Sequence, residues 1–406
     1  MKKILLIAPS ELPIPAVLGG AVETGIVQLI KENEKRQNLK FELFSYYNPV
    51  ALEQSKKYKN TTFKYYKANL IDKILLYFFK AINRLNKTLH IKIIFNERPL
   101  FIRYVCRNIK NKYYDGILLK NSVKYVIPIS KNNKSPIFLQ LHNDFFNEQT
   151  INANKINNLV YKIISNSVYI KNRIKTIEGI NENKIFVNMN CLDDMDFIIP
   201  SVDEQNKVIN KYKINTKKKN IIFVGRITPQ KGIKELLEAL KLIKNRDDWN
   251  LLVAGGKWFS TNSKNKYYRE LETISKEFNN KINFLGYVNH KDIRILYYLS
   301  YISVVPSMWE EPAGRVVLEA EAMQTPIIAA ESGGLPEYLN NDCAFLIKKD
   351  PNFICNLSKK ISFLLDNDIN AKKMGEKGLE FSKKFTSERY YNEIINIIIG
   401  DANGKN

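Results

Sequence analysis

The sequence has few of the residues that build metal centres and disulfide frameworks. Its 406 residues include only four cysteines and three histidines. The cysteines, Cys106, Cys191, Cys343 and Cys355, are scattered and form no CxxC pair. Zinc sites need closely spaced ligands, and small secreted domains need more cysteines than this. We therefore expect reduced thiols, no bound metal ion and a cytoplasmic protein.

Long apolar stretches are missing too. No run of about 18 apolar residues occurs, so the sequence predicts no membrane-spanning helix. The apolar run 4–8 ends at Pro9 and is too short for the core of a signal peptide. A GxGxxG fingerprint is also absent, which argues against a nicotinamide-dependent oxidoreductase.

Acidic residues are outnumbered, with 41 Asp and Glu against 63 Lys and Arg and a net charge of +22. Such an excess predicts an anionic partner. More than half of it lies in the segment 56–112, where aromatic and aliphatic residues alternate with the basic ones. This mixture favours a helix lying on an anionic membrane surface. A core helix with a solvated basic face is the alternative, and no nucleic-acid-binding motif accompanies the segment.

Short apolar runs alternate with helical patterns along the chain. The run 4–8 reads as a buried parallel strand, followed by a loop with Gly19 and Gly20 and then an amphipathic helix. This order is typical of a doubly wound α/β sheet. Further predicted strands are 41–47, 115–119, 137–141, 221–224, 251–254, 284–288 and 301–305. The polar, Lys-rich stretch 202–220 between the two groups predicts a domain linker.

Two acidic residues lie eight positions apart after the last of these strands. Glu311 is in a loop that begins at Pro306, and Glu319 is in the helix that follows. The start of that helix offers backbone N–H groups that suit a phosphate. Because a carboxylate can also accept hydrogen bonds from vicinal hydroxyls, the pattern predicts a site for a nucleoside diphosphate that carries a sugar.

A second loop with two basic residues supports this interpretation. Gly225, Arg226 and Lys231 lie between the strand 221–224 and an amphipathic helix. Two cations at such a position can neutralise the charge on a departing diphosphate. A loop that is basic by chance is the alternative.

These motifs resemble the retaining glycosyltransferases of family 4, in the GT-B superfamily. The family signature is Glu-X7-Glu within Pro-Ser-X-X-Glu-Pro-X-Gly, and here Ala313 stands where Phe is usual. The resemblance implies two doubly wound Rossmann-like α/β domains that face each other across a cleft. It places the domains at 1–200 and 201–385, with a terminal helix in 386–406 that crosses back to the first domain.

The resemblance also implies roles for single residues. Arg226 and Lys231 would clamp the donor diphosphate, Glu311 would contact the donor sugar, and Glu319 would hold the ribose hydroxyls. His142, at the carboxyl end of the strand 137–141, would also contact the sugar. The remaining residues expected around the donor are Gly20, Gly225, Tyr287, Val288, Pro312, Ala313, Gly314, Arg315 and Val316.

The expected reaction moves a sugar from a nucleoside diphosphate, with UDP as the expected nucleotide, to a glycan or a polyprenyl-diphosphate-linked acceptor. It would retain the anomeric configuration, need no cofactor, and serve bacterial surface polysaccharide synthesis at the inner face of the cell membrane. Two alternatives stay open. One is a nucleotide-sugar epimerase of the same architecture, and the other is a non-catalytic protein that binds glycan or membrane.

Overall fold

The strands of the chain form two wholly parallel sheets. The computed structural model describes residues 1–9, 12–88, 98–256 and 266–400. Unit 1 comprises Met1–Asn166, Ile170–Asn188 and the chain from Tyr391 onward, and unit 2 comprises Ser167–Tyr169 and Met189–Tyr390. The prediction of two Rossmann-like α/β domains is confirmed, because each unit contains one of the sheets.

Unit 1 is built on a sheet in the order β3-β2-β1-β4-β5-β6-β7. Its strands are β1 Lys2–Ile7, β2 Leu39–Tyr46, β3 Thr61–Tyr66, β4 Gly116–Lys120, β5 Ile137–Leu141, β6 Lys162–Ser165 and β7 Ile185–Val187. Ile4, Leu5, Leu6 and Ile7 are completely buried, as expected for a central strand that is covered on both faces.

Helices connect these strands, as parallel pairing requires. They are α1 Ala21–Arg36, α2 Pro49–Ser55, α3 Leu70–Thr88, α4 Arg98–Ile109, α5 Val126–Asn132, α6 Ala153–Leu159 and α7 Val168–Lys175. Strand β3 and helix α3 both come from the basic segment 56–112, where the sequence predicted only a helix. Among the described residues, no helix is both long and apolar enough to cross a membrane.

Unit 2 repeats the doubly wound pattern with the order β10-β9-β8-β11-β12-β13. Its strands are β8 Lys219–Val224, β9 Trp249–Ala254, β10 Ile282–Gly286, β11 Ile302–Val305, β12 Ile327–Ala330 and β13 Ala344–Ile347. Its helices are α8 Val202–Tyr212, α9 Ile233–Lys241, α10 Lys266–Ser275, α11 His290–Tyr298, α12 Arg315–Ala322, α13 Phe353–Asp366 and α14 Asp368–Ser382. The last helix, α15 Ser387–Ile399, begins in unit 2 and continues in unit 1.

The predicted linker at 202–220 is wrong, because most of this stretch forms helix α8 and the start of strand β8. Ser201 and Glu204 form a reciprocal capping box at the start of the helix, an arrangement that satisfies two backbone donors. Val208 is the buried residue of α8. Ile209 and Tyr212 are partly buried and pack against the core beside it. The apolar residues that meet the core therefore all lie in the second half of α8, and the first half is polar.

Glu321 is an acidic side chain in the core of unit 2, and burial holds it in its neutral form. The side chain lies on α12, and the Cys343 thiol donates to its Oε1 atom at 3.0 Å. Its Oε2 atom has no hydrogen-bond partner within the described part of the chain. Burial raises the pKa of Glu321 to about 8, against the lowering effect of the hydrogen bond from Cys343.

Replacing Glu321 with glutamine should make the stability of the protein less dependent on pH. The unfolded chain ionises this carboxyl near its ordinary pKa of 4.5, whereas the folded chain keeps it protonated up to about pH 8. The wild-type protein therefore loses stability as the pH rises between these values. At pH 8 we expect the free energy of unfolding of Glu321→Gln, measured with urea, to be about 1–3 kcal/mol higher than that of the wild type. At pH 5 we expect little difference between the two proteins. The exposed acid Glu331 provides the control Glu331→Gln. An equal difference in stability between Glu321→Gln and the wild type at both pH values would contradict a raised pKa of Glu321.

Candidate active site

The loops that contain Lys231 and Glu311 follow two neighbouring strands, so both loops lie at one edge of the unit 2 sheet. Strand β8 pairs with β11, with Ile221 opposite Ile302. The strand order reverses at this pair, since β9 and β10 lie on one side and β12 and β13 on the other. Open α/β sheets bind ligands at the carboxyl ends of the strands beside such a point. The loops that follow β8 and β11 therefore occupy the position at which this fold binds its ligands.

The two loops touch at Gly232, the residue between Lys231 and helix α9. Gly232 has a φ of 70°, a left-handed conformation that glycine adopts without strain. A Cβ atom here would lie 1.8 Å from the Pro306 carbonyl oxygen. Glycine at this position therefore allows the loop after β8 to pack directly against the loop after β11.

This packing places Lys231 against Glu311. The Lys231 Nζ atom lies 2.6 Å from Glu311 Oε1, and the side chains are 19% and 8% exposed. Ser307 Oγ donates to the same carboxylate oxygen at 2.5 Å. One cation and one hydroxyl thus hold a largely buried carboxylate in a single orientation. Such pairing offsets the cost of removing both charges from water.

Backbone contacts fix the Glu311 loop from its other side. The Glu311 N–H donates to Ser332 Oγ at 3.2 Å, and the Gly334 N–H donates to the Glu311 carbonyl at 2.7 Å. At Gly333, with a φ of 52°, a Cβ atom would lie 2.3 Å from that same carbonyl oxygen. The Ser-Gly-Gly segment after β12 is therefore a support for the Glu311 loop.

Glu319 lies on α12 in a cluster of charged groups. Arg315 Nε donates to Glu319 Oε1 at 2.8 Å, and His290 Nε2 lies 3.4 Å from the same oxygen. Burial by itself would raise the pKa of Glu319, but His290 and Arg315 outweigh it and lower the pKa to about 2. Glu319 is therefore an ionised hydrogen-bond acceptor throughout the physiological pH range.

The start of α12 lies in sequence between the two acidic residues. Gly314 is the N-cap residue of this helix and supplies no side-chain acceptor. The first intrahelical hydrogen bond runs from the Leu318 N–H to the Gly314 carbonyl. The earlier N–H groups have no acceptor within the helix, and the helix dipole gives this end a partial positive charge. An anion is the natural partner for such an end.

Residues 204–381 match the family model described as Glycosyl transferases group 1. The match includes Lys231, Glu311 and Glu319 and the loops that carry them. The match covers less than half of the chain, and it shows that this part is similar to group 1 glycosyltransferases. The coarser part of the predicted resemblance is therefore confirmed.

Two solved structures and one curated relative align with almost the whole length of the chain. The chain is 26% identical to spore coat protein SA of Bacillus subtilis (strain 168) over 382 residues, which cover 92% of this chain and 93% of that protein. The crystal structure of a glycosyltransferase from Rickettsia africae has a TM-score of 0.78 at 20% identity, and the alignment covers 100% of this chain and 99% of the other. The Anabaena protein HepE in complex with UDP-glucose has a TM-score of 0.74 at 18% identity, with 98% and 100% covered. The similarity to these structures shows the GT-B fold.

The other predicted residues of the glycosyltransferase domain are dispersed around these loops. Gly225 follows β8, and its N–H donates to the Ala254 carbonyl at 3.0 Å. Arg226 is exposed in the same loop. Tyr287 follows β10 and is 41% exposed, whereas Val288 is buried in the core. A direct contact of the Val288 side chain with a nucleotide base is therefore less favoured than contact with Tyr287.

Gly20 and His142 belong to unit 1. Gly20 is the N-cap residue of α1, and its carbonyl accepts hydrogen bonds from the Thr24 N–H and hydroxyl. His142 follows β5, and its N–H donates to Asn121 Oδ1 at 3.1 Å. His142 thus lies at the carboxyl end of a strand, as the sequence predicted, and its role toward a sugar stays a prediction.

Three residues of the site received no role from sequence reasoning. Ser307 and Ser332 lie within the motifs that were identified, but their contacts with Glu311 depend on loop geometry. His290 stands 29 positions before Glu319 with no motif around it. The sequence around His290 indicates only the start of a helix. Asn289 caps α11 by accepting a hydrogen bond from the Asp292 N–H.

Proposed function

We propose that the protein is a retaining glycosyltransferase that uses a UDP-sugar as its donor. The observation that carries this proposal is the Lys231–Glu311 pair, held beside the start of α12 at the switch point of the sheet. The group 1 glycosyltransferase domain around the pair supports the same conclusion. UDP as the nucleotide is supported by HepE, whose structure contains UDP-glucose.

Each group of the site has a part in the proposed reaction. The donor diphosphate lies at the start of α12, where backbone N–H groups, Lys231 and Arg226 neutralise it. Glu319 accepts hydrogen bonds from the ribose hydroxyls, and Glu311 orients the sugar. The bond between the sugar C1 and the β-phosphate oxygen breaks, and a bond from the acceptor oxygen to C1 forms on the same face. The acceptor proton passes to the leaving phosphate, so charge and atoms balance without a further reactant.

The stereochemical course separates this proposal from its alternatives. With a UDP-sugar and an acceptor, NMR of the first product should show the donor's anomeric configuration. An epimerase would instead give an altered nucleotide sugar without an acceptor, and a binding protein would give no product. A product of inverted configuration would contradict the retaining mechanism.

We further propose that unit 1 binds an anionic membrane surface through helix α3. Leu70, Ile74, Tyr77 and Phe78 share one face by helical spacing, and they are between 50% and 74% exposed. An ordinary core helix would bury such side chains. Lys73 is exposed on the same helix, and Lys64 and Lys67 are exposed just before it. Apolar groups beside cations match the chemistry of an anionic bilayer interface.

Binding of α3 to a membrane would suit a lipid-linked acceptor, because the enzyme has to reach such an acceptor at the membrane surface. Phe79, the next residue on α3, is only partly exposed. Tyr77 and Phe78 are the stronger candidates. A polyprenyl-diphosphate-linked glycan is the acceptor class that this location favours.

Replacing Tyr77 and Phe78 together with serine should weaken binding to anionic vesicles at least about tenfold, because each loses a large apolar contact. Sedimentation with vesicles of phosphatidylcholine and phosphatidylglycerol measures the effect. Raising the salt concentration should weaken the wild-type binding further, because it screens the lysines. The matched control is Ile369→Ser, which removes an apolar side chain that is 84% exposed in unit 2. Wild-type binding that ignores lipid charge and salt would contradict the proposal.

A further inference from the structure

The imidazole of His290 contacts Glu319, although the reaction proposed above does not use it. His290 is the first residue of α11, and its Nε2 atom lies 3.4 Å from Glu319 Oε1. Arg315 approaches from α12, and its terminal nitrogen lies 3.4 Å from the same Nε2 atom. Since Arg315 also donates to Glu319, the three side chains are in mutual contact.

A further carboxylate, Asp196, lies behind the imidazole. Its Oδ1 atom is 4.0 Å from His290 Nδ1. The other oxygen of Asp196 accepts a hydrogen bond from the Asp193 N–H at 2.8 Å, which fixes the side chain. Asp196, His290 and Glu319 line one small cavity together with Ile293 and Arg294. The imidazole therefore lies between two carboxylates, one of which is predicted to bind the ribose.

We propose that His290 is a positioning residue for Glu319 and thereby sets the preference for a ribonucleotide over a deoxyribonucleotide. This inference rests on the proposed role of Glu319. Arg315 and His290 both act on Glu319 Oε1, so together they fix the rotation of the carboxylate about its axis. A carboxylate held in this way can meet two adjacent hydroxyls with good geometry, whereas a rotating one meets them poorly.

The charge of the imidazole supports the same role. The hydrogen bond with Glu319 raises the pKa of His290 above its ordinary value, although burial opposes this. The charged groups that face it are Glu319 and Arg315 on α12, Asp196 on the turn Asp194–Phe197, and Arg294 on its own helix. As the pH rises through this raised pKa, the imidazole loses its proton and the contact with Glu319 loses its charge assistance.

The test compares the affinities of UDP and 2′-deoxy-UDP by calorimetry. We expect the wild type to prefer UDP at least about tenfold, and Glu319→Gln to abolish the preference. His290→Ala should reduce the preference several-fold while its affinity for 2′-deoxy-UDP stays close to the wild-type value. His290→Gln should restore part of the preference, because its amide can donate to Glu319. If His290 has only a structural role, His290→Ala should instead weaken the binding of both nucleotides equally.

The pH profile gives a second readout. As the pH rises above 6.5, the ordinary pKa of histidine, the wild-type preference should decline and the His290→Gln preference should stay constant. The ligand phosphates titrate alike in both nucleotides, so they cancel in the ratio. If the wild type does not distinguish the two nucleotides, the proposed ribose contact of Glu319 is wrong. If Glu319→Gln loses the preference but His290→Ala keeps it, the proposed function survives and this inference is wrong.

Discussion

Replacing Lys231 with alanine should lower kcat for sugar transfer by about a hundredfold to a thousandfold. The physical reason is that Lys231 neutralises charge that builds on the leaving diphosphate, and the loss of one such group costs about 2.7–4 kcal/mol of transition-state stabilisation. Steady-state release of UDP from the donor measures the effect. Arg226→Ala should act in the same direction, because Arg226 lies in the same loop after β8.

Because Lys231 forms an ion pair with Glu311, the effect of Lys231→Ala on folding must be separated from its effect on catalysis. Lys231→Ala leaves Glu311 without its cation at a position that is only 8% exposed, and an unpaired buried charge is destabilising. Lys234→Ala is the matched control, because Lys234 forms an ion pair with Glu270 at 2.7 Å while both side chains are nearly half exposed. We expect Lys234→Ala to keep full activity. A folded Lys231→Ala protein with wild-type kcat would contradict the assignment of this residue to the diphosphate.

Replacing Glu319 with glutamine should lower the affinity for free UDP by about tenfold to a hundredfold. The amide loses the charge that the ribose hydroxyls donate to, and hydrogen bonds to a charged group contribute about 1.5–3 kcal/mol. Glu311→Gln should behave differently, because Glu311 is expected to touch the sugar and not the nucleoside. It should lower the rate of transfer and leave the affinity for UDP nearly unchanged.

Calorimetry with UDP alone separates the two acidic residues. Thermal unfolding of both variants is needed beside it, since Glu319 also neutralises Arg315 and Glu311 also neutralises Lys231. Equal losses of UDP affinity in two folded variants would show that the division of roles between Glu311 and Glu319 is wrong.

The sequence could predict candidate site residues but not how they contact one another. Lys231 and Glu311 are 80 positions apart. Each lies in a motif, so each was found, yet their ion pair depends on β8 and β11 being neighbours in the sheet. Strand order is a property of long-range pairing and cannot be read from the periodicity of either strand. Ser307 was missed for the same reason, since only the folded loop brings its hydroxyl to Glu311.

The predictions that failed or were missed involve weak local patterns. Helix α8 was taken for a linker because its residues that meet the core, Val208, Ile209 and Tyr212, all lie in its second half, which leaves only about one turn of periodic signal. Strand β3 was missed because its exposed positions carry polar residues within a basic segment. His290 has no motif around it, and its contact with Glu319 results from how α11 and α12 pack. Strands β1 and β5 were in contrast predicted within one or two residues, whereas the short strands β6, β7, β12 and β13 were not among the predicted ones.

The most direct test of a glycosyltransferase at this site is nucleoside diphosphate release from a panel of nucleotide sugars. The wild-type protein is incubated with each donor in the presence of anionic vesicles that contain polyprenyl-diphosphate-linked glycans. We expect release of UDP from at least one UDP-sugar, with the sugar recovered on the acceptor, and almost no release by Lys231→Ala. Absence of release from every donor by a folded wild-type protein that binds UDP, or equal release by Lys231→Ala, would contradict the account.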